Sequence, residues 1–394
     1  MSEPSRRRGL VLIVGLPAII VFALLTPWMT DRWPTSACQI GLFLLGMTWC
    51  VHQFFRPAPI LKTWLLLPLG LAASWGPFQL ILSSTVYRFP TFTKSLEWLA
   101  CLVAFFLIVQ ALNTEEREKY FRRGAAWFGF ALALLSYVQY LTSHGKIFWL
   151  IPTGLVRVLG PFINRDHYSI LIELLLPLAL YESRRDQIGL IYSLMAGVMY
   201  ASVVASTSRA GAILATAMLL VLPVILYRRH VSPGVFAKAA LMPLAGAAIL
   251  AATVDWEPML LRFSDSAPFQ GRNQLNIASF QMLKEHPWIG YGLGTWTDVY
   301  PAHAIISQPG FVNAAHNDWA QWAAEGGIFL PILMFTVFCW SAVRAYRFPW
   351  AIGIPVFMIH SAVDFPFQIP ALSLSFFVLL GTLAAAHPDA AHSH

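Results

Sequence analysis

A polar segment containing a histidine interrupts an apolar region late in the sequence. The segment from Phe311 to Gly327 reads FVNAAHNDWAQWAAEGG and places His316, Asn317 and Asp318 at the edge of a strongly apolar run. Polar groups at membrane depth are costly and usually face a cavity or a partner. Histidine also exchanges protons near neutral pH, so His316 is a candidate for proton transfer at a membrane surface.

Two arginines form the second set of candidate groups. Arg209 lies in the motif STSRAG, where one apolar segment ends and the next begins, so its guanidinium must lie near membrane depth. An arginine in that position either extends to the lipid headgroups or faces a polar cavity. Arg272 begins an amphipathic segment that ends in HPWIGYGLG. Because a guanidinium donates two parallel hydrogen bonds to phosphate oxygens, both residues suit an anionic ligand.

A third polar segment, GPFINRDHYS, contains Asn164, Arg165 and His167. The pattern favours a helix cap with solvent contacts, and the alternative is that these residues form part of an acceptor or sugar site. Two acidic residues in apolar surroundings, Glu325 and Asp364, are interpreted as structural partners inside a helical bundle.

The composition identifies the elements that must position these side chains. The chain is 57% hydrophobic and 11% charged with a mean hydropathy of +0.62, whereas soluble domains have roughly 25% charged residues. We therefore expect an all-α polytopic membrane protein whose residues 1–394 form a single integral membrane domain. About twelve helices are expected to cross the membrane, because each crossing needs about 20 mostly apolar residues. The predicted crossings are 9–28, 37–53, 61–78, 95–112, 125–142, 167–181, 188–206, 209–227, 237–254, 318–342, 349–364 and 368–386.

Charge supports a definite orientation of these crossings. Arg6, Arg7 and Arg8 place the N-terminus in the cytoplasm, and an even number of crossings returns the C-terminus to the same side. Sixteen of the 26 Lys and Arg residues are then cytoplasmic and ten are external. The longest external element is the loop at 255–317, between the ninth and tenth crossings, with a short amphipathic helix whose face is Leu275, Ala278 and Met282.

Several function classes lack their motifs. The net charge of +7 follows from the topology, so no nucleic-acid partner is expected. The four cysteines do not have metal-ligand spacing, and we find no phosphate-binding P-loop, dinucleotide fingerprint or HExxH motif. We expect no metal site and no cofactor.

The motifs together resemble a known family. They are GPFINRDHYS, STSRAG, the segment from Arg272 to HPWIGYGLG, AHNDWAQWAAEGG, and HSAVDFPFQIPAL from His360 to Leu372. Their order and spacing, with the layout of about twelve helices and one long external loop, resemble the O-antigen ligase and O-antigen polymerase superfamily of bacterial envelope glycosyltransferases. The resemblance covers most of the C-terminal two thirds of the chain.

The resemblance implies an activity and a location. Family members transfer a glycan from an undecaprenyl-pyrophosphate carrier to an acceptor hydroxyl at the periplasmic face of the inner membrane, without a metal or nucleotide. By motif, the external arginines of the family correspond to Arg209 and Arg272, as pyrophosphate-binding residues, and its histidine to His316. His316 would accept the hydroxyl proton or orient the acceptor, Asn317 and Asp318 would orient its ring, and direct displacement would invert the anomeric configuration.

The acceptor is left open by the resemblance. In ligases of this family it is the lipid A core of lipopolysaccharide, and in the related polymerases it is another lipid-linked glycan. In related protein O-oligosaccharyltransferases it is a Ser or Thr side chain. Ligase-type transfer is the leading expectation, in contact with membrane lipids. A transporter is a further alternative, which the small number of ionisable residues in mid-helix disfavours.

Overall fold

The protein was analysed as a computed structural model. It describes residues 3–29, 31–184, 188–227, 270–305 and 311–387, together with positions 241, 245, 257, 260 and 264. In these ranges the chain is mainly helical, and the only paired strands there form one short hairpin. The expectation of an all-α architecture is confirmed.

Fourteen α-helices lie in the described ranges. They are α1 (Glu3–Leu25), α2 (Trp33–Phe55), α3 (Leu66–Ile81), α4 (Arg88–Ala111), α5 (Glu115–Thr142), α6 (Arg165–Glu182), α7 (Gly189–Ala205), α8 (Arg209–Tyr227), α9 (Gln270–Glu285), α10 (Trp296–His303), α11 (Asp318–Gly326), α12 (Phe329–Arg347), α13 (Gly353–His360) and α14 (Pro370–Ala385). Two short 3-10 helices cover Pro349–Ala351 and Pro366–Gln368. The hairpin pairs β1 (Lys146–Ile147) with β2 (Ile151–Pro152) in antiparallel register.

Five of these helices are long and apolar enough to cross a membrane. They are Trp33–Phe55, Arg88–Ala111, Glu115–Thr142, Arg209–Leu226 and Phe329–Arg347, and shorter apolar helices accompany them. Eleven of the twelve predicted crossings overlap a helix or a pair of helices. The crossing at 237–254 and the first part of the loop at 255–317 lie almost entirely outside the described residues, so the count of twelve and the loop arrangement stay predictions.

The predicted crossing at 318–342 differs from the structure, because two helices separated by a turn occupy this range. Helix α11 ends at Gly326, and α12 begins at Phe329. Gly327 between them has a φ of 66°, and a Cβ there would come within 2.4 Å of the backbone of Trp288. Only glycine adopts that conformation readily and permits this approach. The residues that follow His316 therefore form a separate short helix before the apolar span.

The chain divides into two compact units, and the first comprises residues 1–114, 269–340 and 361–394. Within this unit α4 packs against α1, α2, α3 and α14. Helix α9 packs on α10 and α11, and its predicted face of Leu275, Ala278 and Met282 is buried against Trp296 and other residues of one hydrophobic cluster. The predicted amphipathic helix is thus present, and it ends at Glu285, just before His286 and Pro287.

The loop after α9 passes very close to neighbouring backbone in the first unit. Gly290 and Gly292 have positive φ values, and a Cβ on Gly290 would lie 2.3 Å from the carbonyl of Glu325. The loop after α9 is therefore tight, with its backbone held against the end of α11.

The second unit comprises residues 115–268 and 341–360, with α6 at its centre. Helix α6 packs against α5, α7, α8 and α13, and nearly all of its side chains are buried. Its one buried carboxylate in mid-helix, Glu173, faces Nδ1 of His360 on α13, with Oε2 at 2.9 Å. A buried charge needs such a partner, so this pair sets the register between the two helices.

Candidate active site

His316 lies in the short segment that leads into α11, and its backbone is unusual. Its φ is 51°, in the left-handed region that residues with a Cβ occupy at a cost of about 1–2 kcal/mol. The next residue, Asn317, is the N-cap of α11, and its side chain accepts a hydrogen bond from the amide of Ala320 at 3.1 Å. The cap fixes where the helix begins, so the unfavourable backbone conformation falls on His316.

The carboxylate beside the His316 ring belongs to Asp364. Its Oδ1 lies 3.5 Å from Nδ1 of His316, and the ring of Phe365 contacts the imidazole edge-on at 4.6 Å between centroids. The Asp364 side chain is 1% exposed, whereas that of His316 is 29% exposed, although its Nδ1 atom is buried. The exposed part of the imidazole is therefore the part away from Asp364. A histidine with one nitrogen facing a buried carboxylate and its far edge exposed is arranged as a general base.

Asp318 fastens the segment that carries Asp364 to the start of α11. Its amide donates to the carbonyls of Ser361 at 2.8 Å and Asp364 at 3.2 Å. Its carboxylate accepts the amide of Phe367 at 2.9 Å and the side-chain amide of Gln368 at 2.7 Å. Burial raises the pKa of the Asp318 carboxyl to about 8, and the two donors act in the opposite direction. We name these four hydrogen bonds the Asp318 clamp; they hold the turn at 361–368 next to His316.

A second set of buried hydrogen bonds supports the residue before the histidine. The amide of Ala315 donates to Gln321 at 3.1 Å, and the Gln321 side chain donates to Glu325 Oε1 at 2.9 Å. The same Glu325 oxygen accepts the amide of Trp296, the first residue of α10, at 3.2 Å. His316 is thus held from both sides by groups that are themselves buried, which is how a preorganised site is built.

A partly buried lysine adds positive charge near the Asp318 clamp. Nζ of Lys94 lies 2.9 Å from Glu97 and 3.4 Å from the carbonyl of Phe367, within the first unit. No sequence motif singles out Lys94.

Three other predicted residues also lie in the first unit. Arg272 is the third residue of α9 and is half-buried. Asn317 and Asp318, predicted to orient the ring, bond instead to Ala320 and to the turn at 361–368. The sequence analysis interpreted Asp364 only as a structural partner, although it lies inside the motif HSAVDFPFQIPAL that carried part of the resemblance.

In the second unit the predicted polar residues surround the turn between α7 and α8. Asn164 caps α6 by accepting the amide of Asp166 at 2.9 Å, and its side chain lies 3.3 Å from His167. The Arg165 guanidinium donates to the Thr207 hydroxyl at 3.4 Å. Thr207 lies two residues before Arg209, which is the first residue of α8. The helix-cap interpretation of Asn164 is therefore observed.

Asn164 and Arg165 also line a cavity of about 590 Å³ in the second unit. Its other lining residues include Tyr140, Arg157, Phe162 and Thr207. Arg157 lies over the ring of Tyr140 and donates to its hydroxyl. Two guanidinium groups and apolar side chains therefore face one space in this unit.

Within the described ranges, no group of three or more His, Cys, Asp and Glu residues has the arrangement of a metal site.

Comparison with known families identifies the central part of the chain. Residues 194–335 match the family model described as O-antigen ligase. The resemblance to the O-antigen ligase and polymerase superfamily is confirmed. The segment that matches the O-antigen ligase model contains Arg209, Arg272 and His316, and it ends before Asp364. No curated protein matches the chain. Residues 194–335 are thus similar to a family of O-antigen ligases, and five described helices are long and apolar enough to cross a membrane.

Proposed function

We propose that the protein transfers a glycan from undecaprenyl pyrophosphate to a hydroxyl of the lipid A core, at the periplasmic face of the inner membrane. The observation that carries the proposal is the pairing of His316 with the buried Asp364, held by the Asp318 clamp. The O-antigen ligase match supports the reaction class.

In the proposed reaction His316 acts as the general base. The acceptor hydroxyl gives its proton to the exposed Nε2 side of the ring while its oxygen forms a bond to the anomeric carbon. The Asp364 carboxylate keeps the proton of the neutral ring on Nδ1 and stabilises the imidazolium that forms. Such a base contributes typically about 10²–10⁴-fold to a rate.

The leaving group takes the electron pair of the broken glycosidic bond. Undecaprenyl pyrophosphate departs from the opposite side of the anomeric carbon, so the configuration inverts in one displacement. Arg209 and Arg272 are the proposed donors to its phosphate oxygens, because positive charge is needed where negative charge accumulates. Asn164, Arg165 and His167 are proposed contacts to the substrate in the second unit. In this mechanism the two arginines supply the charge that a metal ion supplies in other transferases.

The test is a transfer assay with purified full-length protein and an undecaprenyl-pyrophosphate-linked glycan. One tube contains rough lipopolysaccharide as acceptor and a second contains none, and each is repeated with EDTA. Product only with lipopolysaccharide supports the ligase, whereas elongated lipid-linked product without it identifies a polymerase. The anomeric configuration of the product, measured by NMR, must be inverted relative to the donor.

The residue test compares two matched histidine substitutions. His316→Ala is expected to abolish transfer, while His52→Ala, at the end of α2, is expected to retain it. A folded His316→Ala protein that transfers glycan at the full rate would refute the general base. Loss of activity with EDTA would refute the metal-independent mechanism.

A further inference from the structure

The external region of the first unit contains a cavity that the proposed reaction does not use. It lies between α9, α10 and the loop that joins them, and it has a volume of about 900 Å³. Its lining includes Val86, Gln281, Glu285, Tyr291, Asp298 and His303. We call it the loop cavity. Its size is at the upper end of the range of roughly 300–1,000 Å³ found for small-molecule sites.

A chain of hydrogen bonds organises the polar side of the loop cavity. The Tyr291 hydroxyl donates to Oε2 of Glu285, and Nε2 of His303 lies 3.2 Å from the same oxygen. The rings of His286 and His303 contact the Tyr291 ring edge-on, at 4.3 and 5.8 Å between centroids. Hydrogen bonds hold the pKa of Glu285 below its usual range, and the bond from the Tyr291 hydroxyl has the largest effect. The Glu285 carboxylate is therefore ionised at neutral pH.

The backbone beneath this cluster is fixed before any ligand binds. The amide of Tyr291 donates to Ala324 at 3.0 Å, and its carbonyl accepts the amide of Val86 at 3.0 Å. The amide of Gly292 donates to the carbonyl of Glu325 at 3.0 Å. Tyr291 is therefore tied to the end of α11, and a ligand in contact with it meets a rigid surface.

The lining chemistry fits a neutral, hydroxyl-rich ligand. None of the lining residues in the described ranges is Lys or Arg, so a phosphate or an anionic lipid has no counter-charge there. The carboxylate of Asp298 accepts hydrogen bonds from hydroxyl groups, and the amide of Gln281 both donates and accepts them. The aromatic rings and Val86 offer apolar area to the C–H surfaces of a sugar. Because the Glu285 carboxylate already accepts the Tyr291 hydroxyl and lies beside the His303 ring, it is less suited to hold a cation.

The loop cavity is connected to His316 through packed and hydrogen-bonded groups of the same unit. Helices α9 and α10, which form its walls, share one buried cluster with Ala315 and Ala324. The first residue of α10, Trp296, donates its amide to Glu325, which is linked through Gln321 to Ala315. A saccharide held in the cavity is thus held by elements that also position the residue next to His316.

We propose that the loop cavity binds the uncharged saccharide chain of a glycan substrate, with Glu285, Tyr291 and Asp298 as its principal contacts. The inference rests on the proposed glycan transfer, and it adds a binding site remote from the reacting atoms. The saccharide comes either from the lipid-linked donor or from the acceptor core, and both share the chemistry that the cavity recognises.

The test measures binding of two lipid-free oligosaccharides to the purified full-length protein by titration calorimetry. One probe is the oligosaccharide released from rough lipopolysaccharide, and the other is released from the lipid-linked donor. One of them is expected to bind saturably, and Glu285→Gln with Asp298→Asn is expected to weaken that binding about tenfold or more. Lys284→Ala, an exposed neighbour outside the cavity, should leave it unchanged. The probe that binds identifies the source of the saccharide.

Several outcomes separate this inference from the proposed function. His316→Ala should bind the same probe with wild-type affinity, because the cavity does not include that residue. The cavity assignment is overturned if the Glu285→Gln, Asp298→Asn variant binds as well as the wild type, or if neither probe binds. Neither result affects His316-dependent transfer. Preferential binding of a lysine-rich peptide that the double variant loses also overturns the cavity assignment. In the transfer assay, the double variant should raise KM for the saccharide substrate and retain kcat. Binding at the cavity without any transfer would refute the proposed function alone.

Discussion

Replacement of Asp364 by asparagine is the sharpest test of the pairing with His316. The substitution keeps the size and shape of a side chain that is 1% exposed, and it removes only the negative charge. In the proposed mechanism that charge stabilises the imidazolium formed when His316 takes the proton. We therefore expect Asp364→Asn to fold and to bind substrates, with a lower rate of the chemical step.

The magnitude follows from the geometry of the pair. Two unit charges 3.5 Å apart, the separation of Nδ1 and Oδ1, interact with about 5 kcal/mol at an effective dielectric constant of about 20 and about 1 kcal/mol in bulk water. With a buried carboxylate and a partly exposed ring, the interaction lies between these limits, at about 2–4 kcal/mol. Since each 1.36 kcal/mol is a factor of ten, kcat should fall about 30- to 1,000-fold.

The assay is single-turnover glycan transfer with wild type, Asp364→Asn, His316→Ala and the double variant. Because Asp364 acts through the His316 ring, the double variant should be no slower than His316→Ala alone. Asp31→Asn, the same substitution at an exposed carboxylate, should keep the wild-type rate. The pairing is refuted if Asp364→Asn retains its rate within about twofold, or if the two losses multiply in the double variant.

Three further predictions concern other parts of the structure. In Asp318→Asn, the new side-chain NH₂ group faces one of the two donors of the Asp318 clamp, the Phe367 amide or the Gln368 side chain. The free energy of unfolding should therefore fall by about 1–3 kcal/mol, measured by thermal unfolding, and glycan transfer should be slower, measured as turnover. Arg209→Lys and Arg272→Lys keep the charge but lose bidentate donation, so kcat/KM for the lipid-linked donor should fall about tenfold or more, and unchanged values would contradict phosphate binding. The pKa of Glu285 is lower in the folded protein than its ordinary value of 4.5, so the ionised carboxylate stabilises the fold above pH 4.5. This stabilisation is lost as the pH falls through the folded-state pKa. The difference in Tm between the wild type and Glu285→Gln should therefore disappear at acidic pH.

The features that follow from local periodicity could be predicted from the sequence. The buried face of α9 was visible because Leu275, Ala278 and Met282 recur at helical spacing. The turn at Arg209 was visible because two apolar segments meet there. These features depend on neighbours within a few residues, which the sequence displays directly.

The features that depend on distant residues could not be predicted. Asp364 and His316 are brought together by the Asp318 clamp, whose partners are backbone groups of the turn at 361–368 and a glutamine side chain. Hydrogen bonds to a distant backbone leave no mark in residue type or spacing. The break between α11 and α12 was also hidden, because Gly326 and Gly327 in an apolar run fit close helix packing as well as a turn.

The Asp318 clamp also has a consequence for the order in which the protein is made. The turn at 361–368 follows α12 and α13 along the chain, so a ribosome completes it only after His316 and the next apolar span have emerged. Until then the histidine has no carboxylate beside it and the start of α11 lacks its four hydrogen bonds. An incompletely synthesised chain therefore contains the proposed base in an unassembled form. In the proposed reaction, transfer of the glycan therefore cannot begin until the turn at 361–368 has been made and has docked on the start of α11.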